Sequence, residues 1–306
     1  MIFNSQMKNI KEIMRKVIFL MLSAFIVINA MAQMPARMLQ SRIVTDSLHS
    51  KVLNDYRAYN VFLPKSYDAD KSKKYPILYL LHGVMDTNMG WTGRGHLKDV
   101  MDQLVESGEV CEMIIVTPNA GGNVYAGAWN GYFDMPGWSF ETFFYTEFLP
   151  HIEKTYRVIA DKSNRAVAGL SMGGGGATSY GQRHSDMFSS VYAMSALMSI
   201  PEQGGMPSQS PDDKMAILSK SVIENSCVKY VEEADDKQKE QLRSVAWYVD
   251  CGDDDFLLDR NIEFIQAMRK AQIPCQFRVR DGGHTWEYWH SALYTCLPFV
   301  TRNFGK

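Results

Sequence analysis

The sequence is short of several features that would place a protein at once. It has almost no net charge: 32 basic against 34 acidic residues leave −2 over 306 residues. No basic surplus is available for a phosphate backbone, so nucleic acid is set aside as a partner. Five cysteines, at Cys111, Cys227, Cys251, Cys275 and Cys296, are too few and too scattered for a disulfide framework. Metal-ligand spacing is missing as well. His284 and His290 have no third ligand nearby, and neither Asp68 with Asp70 nor Asp253 to Asp255 completes a calcium loop. The glycine run Gly173 to Gly176 lacks both the G-x-G-x-x-G pattern and an acidic ribose partner, which excludes the usual dinucleotide site. No cofactor and no metal are expected. There is no internal repeat and no low-complexity linker.

The apolar segment at the N-terminus, Val17 to Ile28, is too short to span a bilayer comfortably. Arg15 and Lys16 precede it and the small-x-small triplet Ala30-Met31-Ala32 follows, which is the pattern of a cleaved signal peptide over residues 1–32. Met14 is an alternative start. No cysteine follows until Cys111, which argues against a lipid anchor. The expectation is an exported chain, periplasmic or secreted, with no membrane anchor after cleavage and one domain over residues 33–306.

What is present is ordinary globular material, 46% hydrophobic and 22% charged. Two extended runs lie between Arg42 and Leu63. Continuous apolar runs of strand length then recur at Tyr75 to Leu81, Met113 to Thr117, Ala166 to Leu170, Ser190 to Ala196, Val245 to Val249 and Cys275 to Val279. Such runs mark strands covered on both faces. Helical patterns occupy His96 to Ser107, Phe140 to Tyr156, Arg260 to Ala271 and Trp286 to Phe304. The alternation predicts an α/β fold: a doubly wound, mostly parallel sheet of about eight strands. Residues 201–243 break the rhythm with a long polar stretch, read as an inserted cap whose charge run is a solvated helix face.

The chemistry centres on Gly169-Leu170-Ser171-Met172-Gly173. A G-x-S-x-G match is weak alone, and a glycine-rich turn with an idle serine is the bland alternative. Here a buried strand precedes it and small residues able to open a helix follow, the setting of a nucleophile elbow. On such a sheet the partners follow in the order acid, then histidine. His284, in Asp281-Gly-Gly-His-Thr-Trp286 after the last strand, is the candidate base; His290 is assigned a packing or surface role. The acid belongs after the penultimate strand, where Asp250, Asp253, Asp254 and Asp255 all compete. Phe256-Leu257-Leu258 would bury Asp255, but chemistry alone leaves the choice open. The turn at His82-Gly83-Val84 would add a backbone donor at Val84 to that of Met172, with His82 structural. The loop Gly121 to Trp138 carries Tyr125, Trp129, Tyr132, Phe133 and Trp138. An aromatic acyl group or a sugar would stack on these rings, and core filling is the equal alternative.

LYLLHG with Trp91 downstream, IIVTPN, FLPHIEKTYRV, RAVAGLSMGGGG, CGDDDFLL and GGHTWEYW follow one another in register. Together they resemble the esterase-D-like branch of the α/β-hydrolases, and most of all its exported bacterial feruloyl esterases. The likeness runs from about Arg57 to the C-terminus and leaves the cap unmatched. It implies an α/β-hydrolase fold with Ser171 as nucleophile and His284 as base. It places the acid on Asp255, with Asp254 as runner-up, and the oxyanion donors on Val84 and Met172. It implies a cofactor-free serine esterase acting on feruloylated polysaccharide, with acetyl-xylan esterase or acyltransferase activity as alternatives. Trp91, Trp129, Tyr132 and Trp286 are carried as candidate substrate-contacting side chains.

Overall fold

The central apolar runs form strands whose alternate residues enter two separate cores, and the run Cys275 to Val279 forms a half-buried edge strand. The computed structural model describes residues 40–201, 210 and 212–306. The signal peptide expected over residues 1–32 lies outside them. The strands are β1 (Arg42–Ser50), β2 (Asp55–Leu63), β3 (Ile77–Leu81), β4 (Ile114–Pro118), β5 (Arg165–Leu170), β6 (Ser190–Met194), β7 (Ala246–Gly252) and β8 (Cys275–Arg280). They make one eight-stranded sheet in the order β1-β2-β4-β3-β5-β6-β7-β8. The β1–β2 and β2–β4 pairs are antiparallel, and every pairing from β4 through β8 is parallel. The expected fold class, a mostly parallel α/β-hydrolase sheet of about eight strands, is the fold observed.

The helices are α1 (Leu97–Glu106), α2 (Leu149–Thr155), α3 (Met172–Arg183), α4 (Lys214–Glu224), α5 (Cys227–Glu232), α6 (Asp236–Arg243), α7 (Leu258–Lys270) and α8 (Trp286–Asn303). Chain entry to α2 runs through Phe140–Phe143 and a π-helical turn, Phe144–Phe148. On β3, Ile77, Tyr79 and Leu81 face one core, with Phe144 and Phe148 ahead of α2, Tyr180 of α3 and Phe264 of α7. Leu78 and Leu80 face the other, with Val100 and Leu104 of α1 and Leu293 and Leu297 of α8. Two covered faces explain why period-two alternation is absent from the sequence of this strand. Between β6 and β7, the charge run forms α6. A capping box between Asp235 and Gln238 starts that helix, and Leu242 is its one buried residue.

Candidate active site

Four strand ends meet at one edge of the parallel sheet, the usual place for a site in such folds. Ser171 follows β5, the Asp255 loop follows β7, the His284 loop follows β8, and Val84 lies in the turn after β3. Ser171 has φ 54° and ψ −121°, a conformation that costs a non-glycine residue about 1–3 kcal/mol. The surrounding backbone imposes it. Ser171 N–H donates to the Met194 carbonyl at 2.9 Å, and its own carbonyl accepts from Gly175 at 3.1 Å and Leu197 at 2.9 Å. Gly173 is required because a Cβ there would lie 2.4 Å from the His82 carbonyl oxygen. That close approach brings the start of α3 against the turn after β3. The backbone N–H groups of Met172 and Val84 are thereby set on two adjoining turns. Among the described residues, no protein acceptor takes up either of them.

The side chains form a continuous line. His284 Nε2 is 2.9 Å from Ser171 Oγ. His284 Nδ1 is 2.8 Å from Asp255 Oδ2 and 3.0 Å from Oδ1. A carboxylate accepts, so Nδ1 carries the proton and Nε2 presents its lone pair to the serine hydroxyl. Burial alone would raise the Asp255 pKa. Hydrogen bonds from His284, the Leu257 backbone N–H and Ser195 oppose it, and the net shift is downward. Asp255 therefore stays ionised while its side chain is closed to solvent.

The other carboxylates go elsewhere. Asp254 is exposed, and its backbone N–H donates to the Gly282 carbonyl at 3.1 Å. Asp253 accepts from the Gly282 N–H at 3.0 Å. Asp250 is fully buried and ties together Tyr192 of β6, Arg278 of β8 and Tyr288 of α8. The sequence pointed to none of these partners, because they come from distant elements. Ser195 was also missed. It is buried with φ 46°, and its hydroxyl accepts from the Trp289 indole N–H at 3.1 Å while standing beside Asp255.

His82 is fully buried, and burial lowers its pKa against the raising effect of the Gly83 carbonyl. Its Nδ1–H donates to that carbonyl at 2.8 Å, and Nε2 accepts from Ala120 N–H at 2.9 Å. His290 is turned away from the site and donates from Nδ1 to the Gly95 carbonyl at 2.9 Å.

Two of the four proposed substrate-contacting aromatics are corrected by their burial. Trp91 has no exposed surface, and its indole N–H donates to the Leu81 carbonyl at 3.0 Å. Tyr132 is 1% exposed and donates to the His82 carbonyl at 3.0 Å, bracing the turn that carries Val84. Neither ring has a face to offer a ligand. Trp286 and Trp129 are half-buried. Trp286 packs edge-on against Trp91 and Trp289, both at 5.3 Å, with the Arg94 guanidinium 4.7 Å from its ring. Trp129 lies parallel to Trp138 with ring centroids 6.3 Å apart, and the Lys214 ammonium stands 4.8 Å from its ring.

This sheet order, with serine, histidine and carboxylate hydrogen-bonded in line at the strand ends, defines the α/β-hydrolase class. Within it, the chain belongs to the esterase family described as "Putative esterase", whose sequence model matches residues 50–300. A solved structure of a ferulic acid esterase is 75% identical and superposes with a TM-score of 0.85, covering 87% of this chain and 100% of its own. The endo-1,4-beta-xylanase/feruloyl esterase of Xylanibacter ruminicola is 33% identical over 238 residues, which are 76% of this chain and 28% of that protein. The acetyl esterase of Caldicellulosiruptor saccharolyticus is 22% identical over 276 residues, 85% of this chain and 98% of that protein. This chain therefore spans little more than a quarter of the first of these two relatives and nearly all of the second.

Proposed function

We propose that the chain is an exported serine esterase that releases ferulate, or a related hydroxycinnamate, from plant cell-wall xylan or its oligosaccharides. The observation that carries the chemistry is the unbroken hydrogen-bonded line from Ser171 through His284 to buried Asp255. Ser171 Oγ attacks the ester carbonyl as His284 Nε2 takes its proton. Asp255 fixes the imidazole tautomer and stabilises the imidazolium. The N–H groups of Met172 and Val84 hold the oxyanion, each worth about 10²–10³ in rate. The alcohol leaves with the proton from His284. Water, deprotonated by the same nitrogen, then frees the acid and restores Ser171. The residues supply every group the cycle uses, so no cofactor enters it.

Support for the acyl group comes from the 75% identical ferulic acid esterase and from the xylanase/feruloyl esterase relative. Support for export comes from the signal pattern in residues 1–32.

The test is release of free ferulate from methyl ferulate and feruloylated arabinoxylan, with acetylated xylan alongside, by wild type and Ser171→Ala. Ferulate release that vanishes in the variant is expected. Acetate release without ferulate would replace the acyl group and leave the mechanism. Ester transfer to a sugar acceptor in preference to water would make the protein an acyltransferase. Equal activity in both proteins would remove Ser171 from the mechanism.

A further inference from the structure

The most exposed large apolar side chain among the described residues adjoins the site. Phe256 is 76% exposed, although it directly follows buried Asp255. It does not hang on a loose loop. The turn beneath it is fastened by the Leu258 N–H to the Asp255 carbonyl at 2.9 Å and by the Leu257 N–H to Asp255 Oδ1 at 2.8 Å. Its ring centroid lies 4.5 Å from that of His284, with the planes inclined at 49°. The imidazole also meets buried Trp289 edge-on, with centroids 4.8 Å apart. One of the two aromatic neighbours of His284 thus belongs to the core and the other is open to water. An exposed phenyl ring gains little from folding, so packing alone gives no account of Phe256.

The route of the proton says what lies next to it. On the serine-esterase reading above, His284 Nε2 hands its proton to the departing alcohol oxygen. That oxygen must come within about 3 Å of Nε2. The acyl half stays bonded to Ser171 Oγ on the far side of the carbonyl carbon, so the two halves of the ester diverge. The carbon skeleton that leaves past His284 is the alcohol, and Phe256 is the open surface beside that imidazole.

We propose that Phe256 forms the subsite for the alcohol half of the ester, and that the group it takes is a sugar ring. A pyranose or furanose presents a face of C–H groups, and an aromatic ring presents a flat apolar face to match. The proton-transfer step is unchanged: the bond between the carbonyl carbon and the sugar oxygen breaks as the Nε2 proton passes to that oxygen, leaving the acyl group on Ser171 Oγ. A methyl ester has nothing to place on the ring. The inference rests on the esterase reading and adds the leaving-group side to it.

The experiment compares kcat and KM on methyl ferulate and on a feruloylated arabinoxylo-oligosaccharide for wild type, Phe256→Ala and Phe256→Tyr. The ratio of kcat/KM for the sugar ester to that for the methyl ester should fall roughly five- to tenfold in Phe256→Ala, mostly through KM. Phe256→Tyr, which keeps the flat ring, should restore it. An equal loss on both esters would overturn the proposal, since the ring would then act only on the orientation of His284. An unchanged ratio in Phe256→Ala would overturn it too. If wild type hydrolyses neither ester, the esterase reading itself falls, and the two failures are told apart.

Discussion

Gly252 and Gly282 meet so closely that a Cβ on Gly252 would lie 1.9 Å from the Gly282 carbonyl oxygen. The loop carrying Asp255 is thereby laid against the loop carrying His284, backbone on backbone. Bonds from Asp254 N–H to Gly282 O at 3.1 Å and from Gly282 N–H to Asp253 at 3.0 Å fasten the two. Gly252→Ala should wedge them apart and pull the carboxylate off the imidazole. A misplacement of about 1 Å costs on the order of 10²-fold in kcat. Steady-state kinetics with circular dichroism would check it; a folded variant with wild-type kcat would show that the contact does not hold the pair.

A second prediction concerns the strained nucleophile. Ser171→Gly should abolish activity, a loss of roughly 10⁶-fold by comparison with other serine hydrolases. It should also raise the melting temperature, because glycine adopts φ 54° freely. Strain relief of about 1–3 kcal/mol, less glycine's entropy cost of about 0.5–1 kcal/mol, leaves a gain of a few degrees. Thermal unfolding of wild type, Ser171→Ala and Ser171→Gly would measure it. A lower melting temperature for the glycine variant would count against the strain.

The third prediction is about acid. Asp255 has a folded-state pKa below the ordinary 3.8, held there by its hydrogen bonds against burial. Its contribution to stability is therefore complete above that ordinary value and disappears as pH falls through the lowered one. His82 is depressed by burial from the ordinary 6.5, so its unfolded form takes up a proton first as pH drops. Stability should begin to decline below about pH 6.5 and fall again in the carboxylate range. Denaturant titrations across pH would show the two stages. Asp255→Asn should shrink the lower stage, to which Glu112, held down by Lys73 and Ser66, also contributes, and cost about 10⁴-fold in kcat through the wrong imidazole tautomer.

A fourth follows from the correction to Trp91. Trp91→Ala should cost about 3–5 kcal/mol of stability, since it empties a fully buried site and leaves the Leu81 carbonyl without its donor. Urea unfolding would measure the loss. A stable variant with a raised KM would instead return Trp91 to the substrate.

The central strands were legible because both of their faces are covered, so Tyr75 to Leu81 and Ala166 to Leu170 read as unbroken apolar runs. Ser171 and His284 were legible because glycines needed for tight turns surround them within a few residues. The acid was not, since four chemically identical carboxylates stand between Asp250 and Asp255. Only the fold turns Asp250 inward to Tyr192, Tyr288 and Arg278 and sets Asp255 on the imidazole. Trp91 and Tyr132 were misread for a related reason. An aromatic residue in a loop has the same sequence signal whether its ring faces the core or a cleft. The stretch Phe140 to Tyr156 reads as plain helix, but the structure inserts a π turn over Phe144–Phe148, which side-chain periodicity at intervals of four does not reveal.

Ser171, Asp255, His284 and Val84 stand just past the ends of four different strands of one sheet. Their alignment is therefore set by the register of the strands rather than by any one loop. The strand ends hold the hydrogen-bonded line from Ser171 through His284 to Asp255. The connection between β6 and β7 is tied into the same frame, since Met215, Leu218, Cys227, Val231 and Leu242 are buried in the core. A change that slips one strand by a single residue would therefore break the line without touching any of its members.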